Sequence, residues 1–168
     1  MGLAFVLDWD TARQLPWGIL VLFGGGLSLA AAVEANQVAD YLGAQATVLD
    51  GLPALVLVAA ITVGVVFLTE LTSNTATAAA LVPIFAAVAP GIGLHPLALA
   101  VPTAIAASLA FMLPVATPPN AIVFGSGLVT IPEMMRVGIR LNVAAVAIIT
   151  AAMYLLAAPL FGFDLALF

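Results

Sequence analysis

The sequence predicts an all-α integral membrane protein whose helices include a re-entrant hairpin and one broken span. Three observations carry that prediction. The 168 residues are 65% hydrophobic and 7% charged, with a mean hydropathy of +1.29. A soluble domain carries about 25% charge, and one of this size leaves roughly a third of its surface in water, so this much apolar side chain calls for lipid. Apolar runs recur along the chain at lengths near that of a bilayer core. Two polar clusters interrupt them: Thr69, Thr72, Ser73, Asn74, Thr75 and Thr77 in "FLTELTSNTATAAALVPIF", and Thr117 to Asn120 in "TPPN".

The elements follow in order. Residues 17–35 form the first span, long enough for a core of ~30 Å, with Trp17 suited to an interfacial position. An acidic polar stretch follows, from Glu34 to Asp50. Residues 52–89 read as a re-entrant hairpin with its tip at 73–75. Its connection "TSNT" carries no charge, and its second arm, Ala76 to Ala89, falls short of the ~17 residues a crossing needs. "PGIGLHP" is a turn. Residues 97–128 form a span broken at 117–119, and residues 137–160 form the last span.

Lysine is absent, and the arginines are Arg13, Arg136 and Arg140. They precede the first and last spans, which sets both places in the cytoplasm and leaves Asp40 and His95 outside. The hairpin then dips in from outside. The net charge of −5 is scattered, with no basic patch for nucleic acid. Without cysteine the chain has no disulfide or thiolate metal site. Its single histidine, His95, builds no histidine-rich metal centre and no Ser/His/Asp triad with Ser73, which argues against an enzyme. "MGLAFVLDWDTARQLPW" lacks the basic start and cleavage site of a signal peptide.

Backbone within a membrane leaves the helical ladder only where protein or a watery cavity satisfies it. Ser73, Asn74 and Thr75 immediately precede an Ala-rich helix, and these residue types are favoured N-caps. Thr117 precedes Pro118 and Pro119, a capping hydroxyl ahead of proline at the first helical position. Each break therefore offers a half-helix N-terminus with unpaired N–H groups, suited to an anion. Carbonyls at the preceding helix ends, with Thr and Asn oxygens, suit sodium. Discontinuous helices that join an anion site to a cation site are the design of secondary transporters. The competing reading is that these side chains bond to i−4 carbonyls or to neighbouring helices. The chain would then be a membrane structural or assembly subunit without transport of its own.

"FLTELTSNTATAAALVPIF" and "FMLPVATPPNAIVFGSG" resemble the second Ser-Asn-Thr motif and the Thr-Pro-Pro-Asn segment of the divalent anion/sodium symporter family, whose members carry dicarboxylates, citrate or sulfate. "LPWGILVLFGGGLSLA" and "EMMRVGIRLN" look like its neighbouring segments, in the same order. The resemblance implies one half of an inverted-repeat transporter, with Ser73, Asn74 and Thr75 at the outward-side hairpin tip. It implies that Asn74 and Thr75 contact a substrate carboxylate and that Thr117 and Pro118 line the same site. It assigns one sodium to Thr69, the backbone of Thr72, Asn74 and the backbone of Ala116. Ser73 to Thr75 and Thr117, Pro118, Pro119 and Asn120 are the motif positions. The family moves its substrate domain like an elevator against a dimeric scaffold. One Ser-Asn-Thr motif stands where the family has two, so the resemblance is to a C-terminal portion, with an N-terminal half absent, a bacterial inner membrane as its location and a homodimer as the intact form. Alone, such a portion is not expected to transport.

Remaining features read structurally. Gly24, Gly25 and Gly26 suit close helix packing. Glu70, an intramembrane acid, is a functional hypothesis by default, but reads here as hydrogen-bonded to a neighbouring arm. His95 reads as solvated, Arg136 and Arg140 as topology anchors, and Pro83 and Pro102 as helix kinks.

Overall fold

A computed structural model describes residues 9–13, 17–38, 41 and 52–163. The acidic connection around Asp40 lies outside them. Among the described residues every regular element is helical: α1 (Trp9–Ala12), α2 (Trp17–Ala35), α3 (Ala54–Thr69), α4 (Asn74–Val88) with a 3-10 extension (Ala89–Ile92), α5 (Pro96–Ala106), α6 (Pro118–Gly125) and α7 (Ile131–Phe161).

Local chemistry accounts for most boundaries. Pro53 sits just ahead of α3, where its missing N–H costs nothing. Ser73 caps α4 in an extended conformation and accepts from the Ala76 amide at 3.5 Å. Gly93, at φ 76, closes the 3-10 turn, donating to Pro90 O at 3.0 Å while Leu94 donates to Ala89 O at 2.9 Å. That positive φ is cheap only for glycine. His95 then caps α5, its Nδ1 accepting from the Leu97 amide at 3.2 Å, with Pro96 opening the helix.

His95 is exposed, yet its ring stacks on Phe163 at 4.5 Å between centroids and an interplanar angle of 12°. It is therefore more than a solvated turn residue. It ties the start of α5 to the end of α7. His95→Ala removes the cap and the stack together and is expected to cost about 1–2 kcal/mol, read as a lowered unfolding midpoint in a denaturing-detergent titration.

α5 lies between the arms α3 and α4 and packs against both, while those arms touch each other little. α2 packs along α4, where Gly26 meets the Ala79 carbonyl so closely that a Cβ would stand 2.5 Å from it. α7 closes the other side against α3 and α5. Val58, Val65, Val66, Ala98, Leu99, Ala106, Ile149 and Met153 form the centre of the core.

The surface is inverted relative to a soluble protein. Leu71, Val143, Ile148, Leu155 and Leu160 are exposed, whereas Thr62, Thr69, Glu70, Thr77, Thr103 and Asn142 are buried. Among the described residues, Asn74–Ile92 and Ile131–Ala157 are long and apolar enough to cross a bilayer. The first of these reaches that length because the 3-10 turn continues α4 past Ala89, so the second arm of the expected hairpin is longer than the sequence suggests. α3, at 16 residues, rises ~24 Å at 1.5 Å per residue, less than a bilayer core of ~30 Å. α7, with 31 residues, exceeds it and begins at Ile131, ahead of the apolar run from Val137.

Candidate functional site

Both polar clusters meet in one place. Leu71, Thr72, Ser73, Asn74 and Thr75 form one wall of a cavity of about 530 Å³, and Val115, Ala116, Thr117 and Pro118 form the other. That volume falls within the range of small-molecule sites. Among the described residues no charged side chain lines it, so an ion entering it meets neutral oxygens, amides and two helix starts from them.

The first wall is the turn between α3 and α4. Thr69, fully buried, holds its Oγ1 2.8 Å from Asn74 Oδ1 and 2.8 Å from the Ala107 carbonyl oxygen. One hydroxyl hydrogen serves one acceptor. Turning the Asn74 amide, so that Nδ2 donates to Thr69, satisfies both contacts within the protein. Thr72 Oγ1 donates to Leu68 O at 2.9 Å and lies 2.6 Å from Thr77 Oγ1. The i−4 bond is the structural use foreseen for such hydroxyls, and it leaves the Thr72 backbone, rather than its side chain, to an ion. Thr62 does the same with Val58 O at 2.7 Å. Thr75 is exposed in the cavity and Asn74 half-buried.

The second wall differs in kind. The helix before it ends at Ala106, and residues 107–117 run irregularly up to α6. Thr117 caps α6 in an extended conformation (φ −144, ψ 153), its Oγ1 accepting from the Asn120 amide at 3.3 Å and its carbonyl from the Ala121 amide at 3.1 Å. Pro118 and Pro119 have no N–H. The start of α6 therefore presents a partial positive charge but no free amide donor, contrary to the expectation of unpaired N–H groups at both breaks. At α4 the Ala76 and Thr77 amides are taken by Ser73, and those of Asn74 and Thr75 lie in the first turn, where a helix supplies no partner. Pro119 is exposed outside the cavity lining, and Asn120 serves the backbone, donating from Nδ2 to Ala110 O at 2.9 Å and Leu113 O at 3.0 Å.

Glu70 holds the irregular stretch from the opposite side. It is 3% exposed, and its carboxylate accepts from three successive amides: Phe111 to Oε1 at 2.7 Å, Met112 to Oε1 and Oε2 at 2.9 and 3.0 Å, and Leu113 to Oε2 at 3.1 Å. Asn142 Nδ2, from α7, adds a bond to Oε1 at 2.8 Å. Glu70 is hydrogen-bonded, but not to the neighbouring arm as the sequence suggested: its partners come from residues 111–113 and from α7. Ala107, the Phe111–Leu113 amides and Asn142 escaped the sequence reading. Only Asn142 left a signal there, as a lone amide in the apolar run "LNVAAVAII".

The sodium:sulfate symporter transmembrane region model matches residues 1–163. A sodium-dependent dicarboxylate transporter, SdcS, of Staphylococcus saprophyticus is 48% identical over 159 residues, 95% of this chain and 31% of that protein. SdcS of Staphylococcus aureus strain MRSA252 is 46% identical over 160 residues, again 95% of this chain and 31% of the relative. The chain thus spans about a third of the length of the curated relatives it matches. With an inverted surface, two crossing-length helices and a match that runs through both walls of the cavity, this membrane protein belongs to the sodium:sulfate symporter transmembrane family.

Proposed function

We propose that this chain supplies one hairpin tip and one sodium site of a sodium-coupled transporter for dicarboxylates or related divalent anions. The observation that carries the reading is the convergence of Ser73–Thr75 and Ala116–Pro118 on one uncharged cavity. In this reading Asn74 and Thr75 hold a substrate carboxylate, with donors from the first turn of α4 and the positive ends of α4 and α6 behind them. Thr117 and Pro118 shape the opposite wall. Sodium, a co-substrate, binds Thr69 Oγ1, Asn74 Oδ1 and the backbone carbonyls of Thr72 and Ala116. These are hard oxygen donors of the type such a cation takes. The bound ion also offsets the charge of the anion beside it, which neutral donors alone do only in part.

The same proposal covers the membrane arrangement. Residues 52–89 form a re-entrant hairpin, since α3 is too short to cross and its end joins a cavity walled by irregular backbone. Residues 97–128 form the broken span, and 17–35 and 137–160 the flanking spans. The arginines face the cytoplasm of a bacterial inner membrane, and an N-terminal half with a second hairpin completes the site in a homodimeric transporter.

The test is a transplant. The matching segment of the Staphylococcus saprophyticus relative is replaced by this chain, and the chimera is reconstituted in proteoliposomes. Radiolabelled succinate should accumulate under an inward sodium gradient and not under a potassium gradient. A correctly inserted chimera without sodium-driven uptake would favour the assembly-subunit reading.

A further inference from the structure

The cavity walls are far apart in sequence, and one side chain bridges them. Glu70 lies four residues before Asn74 in the chain, on the segment that forms the first wall. Its carboxylate gathers the amides of Phe111, Met112 and Leu113, directly ahead of Val115 to Pro118 on the second wall. Three successive N–H groups turned to one anion make a backbone nest, and here the anion belongs to the protein. A carboxylate has about four acceptor positions, and five donor contacts from four N–H groups, Asn142 included, occupy both oxygens. Glu70 therefore has no lone pair left for a cation and does not act as a sodium ligand.

The reverse side of the stretch is equally fixed. Asn120 holds the carbonyls of Ala110 and Leu113, and Gly138 brings α7 against Phe111 and Met112. We propose that Glu70 is a positioning residue that sets the backbone of the second wall at the distance the ion and anion require, so that ordering the hairpin tip and ordering residues 111–117 are one event. This rests on the function proposed above, and deepens it.

Glutamine at position 70 keeps the shape but replaces one acceptor oxygen by a donor amide that faces amide donors. The chain is naturally free of cysteine, so Val115→Cys, at a site 84% exposed on the cavity wall, provides a single thiol for labelling. Two measurements are made on the full chain in lipid nanodiscs. Hydrogen exchange of a peptide covering residues 109–117 should quicken about ten- to hundredfold in Glu70→Gln, while a peptide covering residues 56–66 of α3 is unchanged. The sodium concentration that half-protects the introduced thiol from a maleimide should rise about tenfold when Glu70→Gln is added, with full protection still reached at saturation.

Unchanged exchange at 109–117, or equal quickening in both peptides, would overturn the positioning role. An unshifted sodium midpoint would overturn it too. If sodium never protects the introduced thiol in the chain that retains Glu70, the sodium reading fails instead, and the exchange result still decides whether Glu70 organises the second wall.

Discussion

Asn74→Ala should lower sodium-driven succinate uptake by the chimera about 100-fold, with the same amount of protein inserted in the membrane. The side chain is at the first position of α4, lines the cavity, and places its amide oxygen 2.8 Å from the buried Thr69 hydroxyl. Alanine keeps the helix start, because the cap belongs to Ser73. It removes the side-chain amide whose oxygen faces the proposed ion and whose nitrogen donates to the proposed carboxylate. The comparison variant is Asn36→Ala, whose exposed amide donates only to Ala32 O one turn earlier. Its uptake should match the parent. Normal uptake by Asn74→Ala would remove the ligand assignment and return the Thr69–Asn74 contact to a purely structural role.

Gly138→Val should produce the largest loss of stability outside the site. A Cβ at position 138 would stand 2.5 Å from the Phe111 carbonyl oxygen, 2.6 Å from Met112 Cα and 2.7 Å from the Phe111 carbonyl carbon. All three are backbone atoms, held in turn by Glu70, so no side-chain rotation relieves the clash. Overpacking of this kind costs about 1–3 kcal/mol, and the displaced nest adds to it. Gly64→Ala is the contrast: nothing lies within 4 Å of its added carbon, and alanine favours the middle of α3 by up to about 1 kcal/mol. Midpoints of unfolding in a denaturing-detergent titration should therefore move in opposite directions for the two variants. A Gly138→Val protein as stable as its parent would mean that α7 stands off from residues 111 and 112.

The helix starts at Asn74 and Pro118 were legible because capping is local chemistry: a hydroxyl, the next few amides and, at the second, a proline. That the polar cluster breaks the apolar run was legible for the same reason that the membrane was, since few such groups tolerate lipid. Two features were not. "PGIGLHP" reads as a turn at its first proline, but Pro90 fits inside a 3-10 turn and the chain reverses only at Gly93, which lengthens α4. "ASLAFMLPVA" reads as helix on hydropathy, yet residues 107–117 are irregular. The decisive groups lie elsewhere in the chain: Glu70 takes the amides that a helix would use, and Gly138 opens the room. Tertiary partners of this sort leave no periodic trace. The two ends of the nest are 72 residues apart, from Glu70 to Asn142.

That separation has a consequence for how the protein is made. Glu70 leaves the ribosome well before the amides at 111–113 and long before Asn142. A carboxylate with no partners is costly in hydrocarbon, so the newly made α3–α4 segment has every reason to wait at the lipid headgroups or within the insertion machinery. Its donors arrive only with the irregular stretch after α5 and with α7. The carboxylate is therefore fully partnered only once residue 142 has been made. A ribosome halted before residue 111 should hold a nascent chain in which Glu70 has none of these partners.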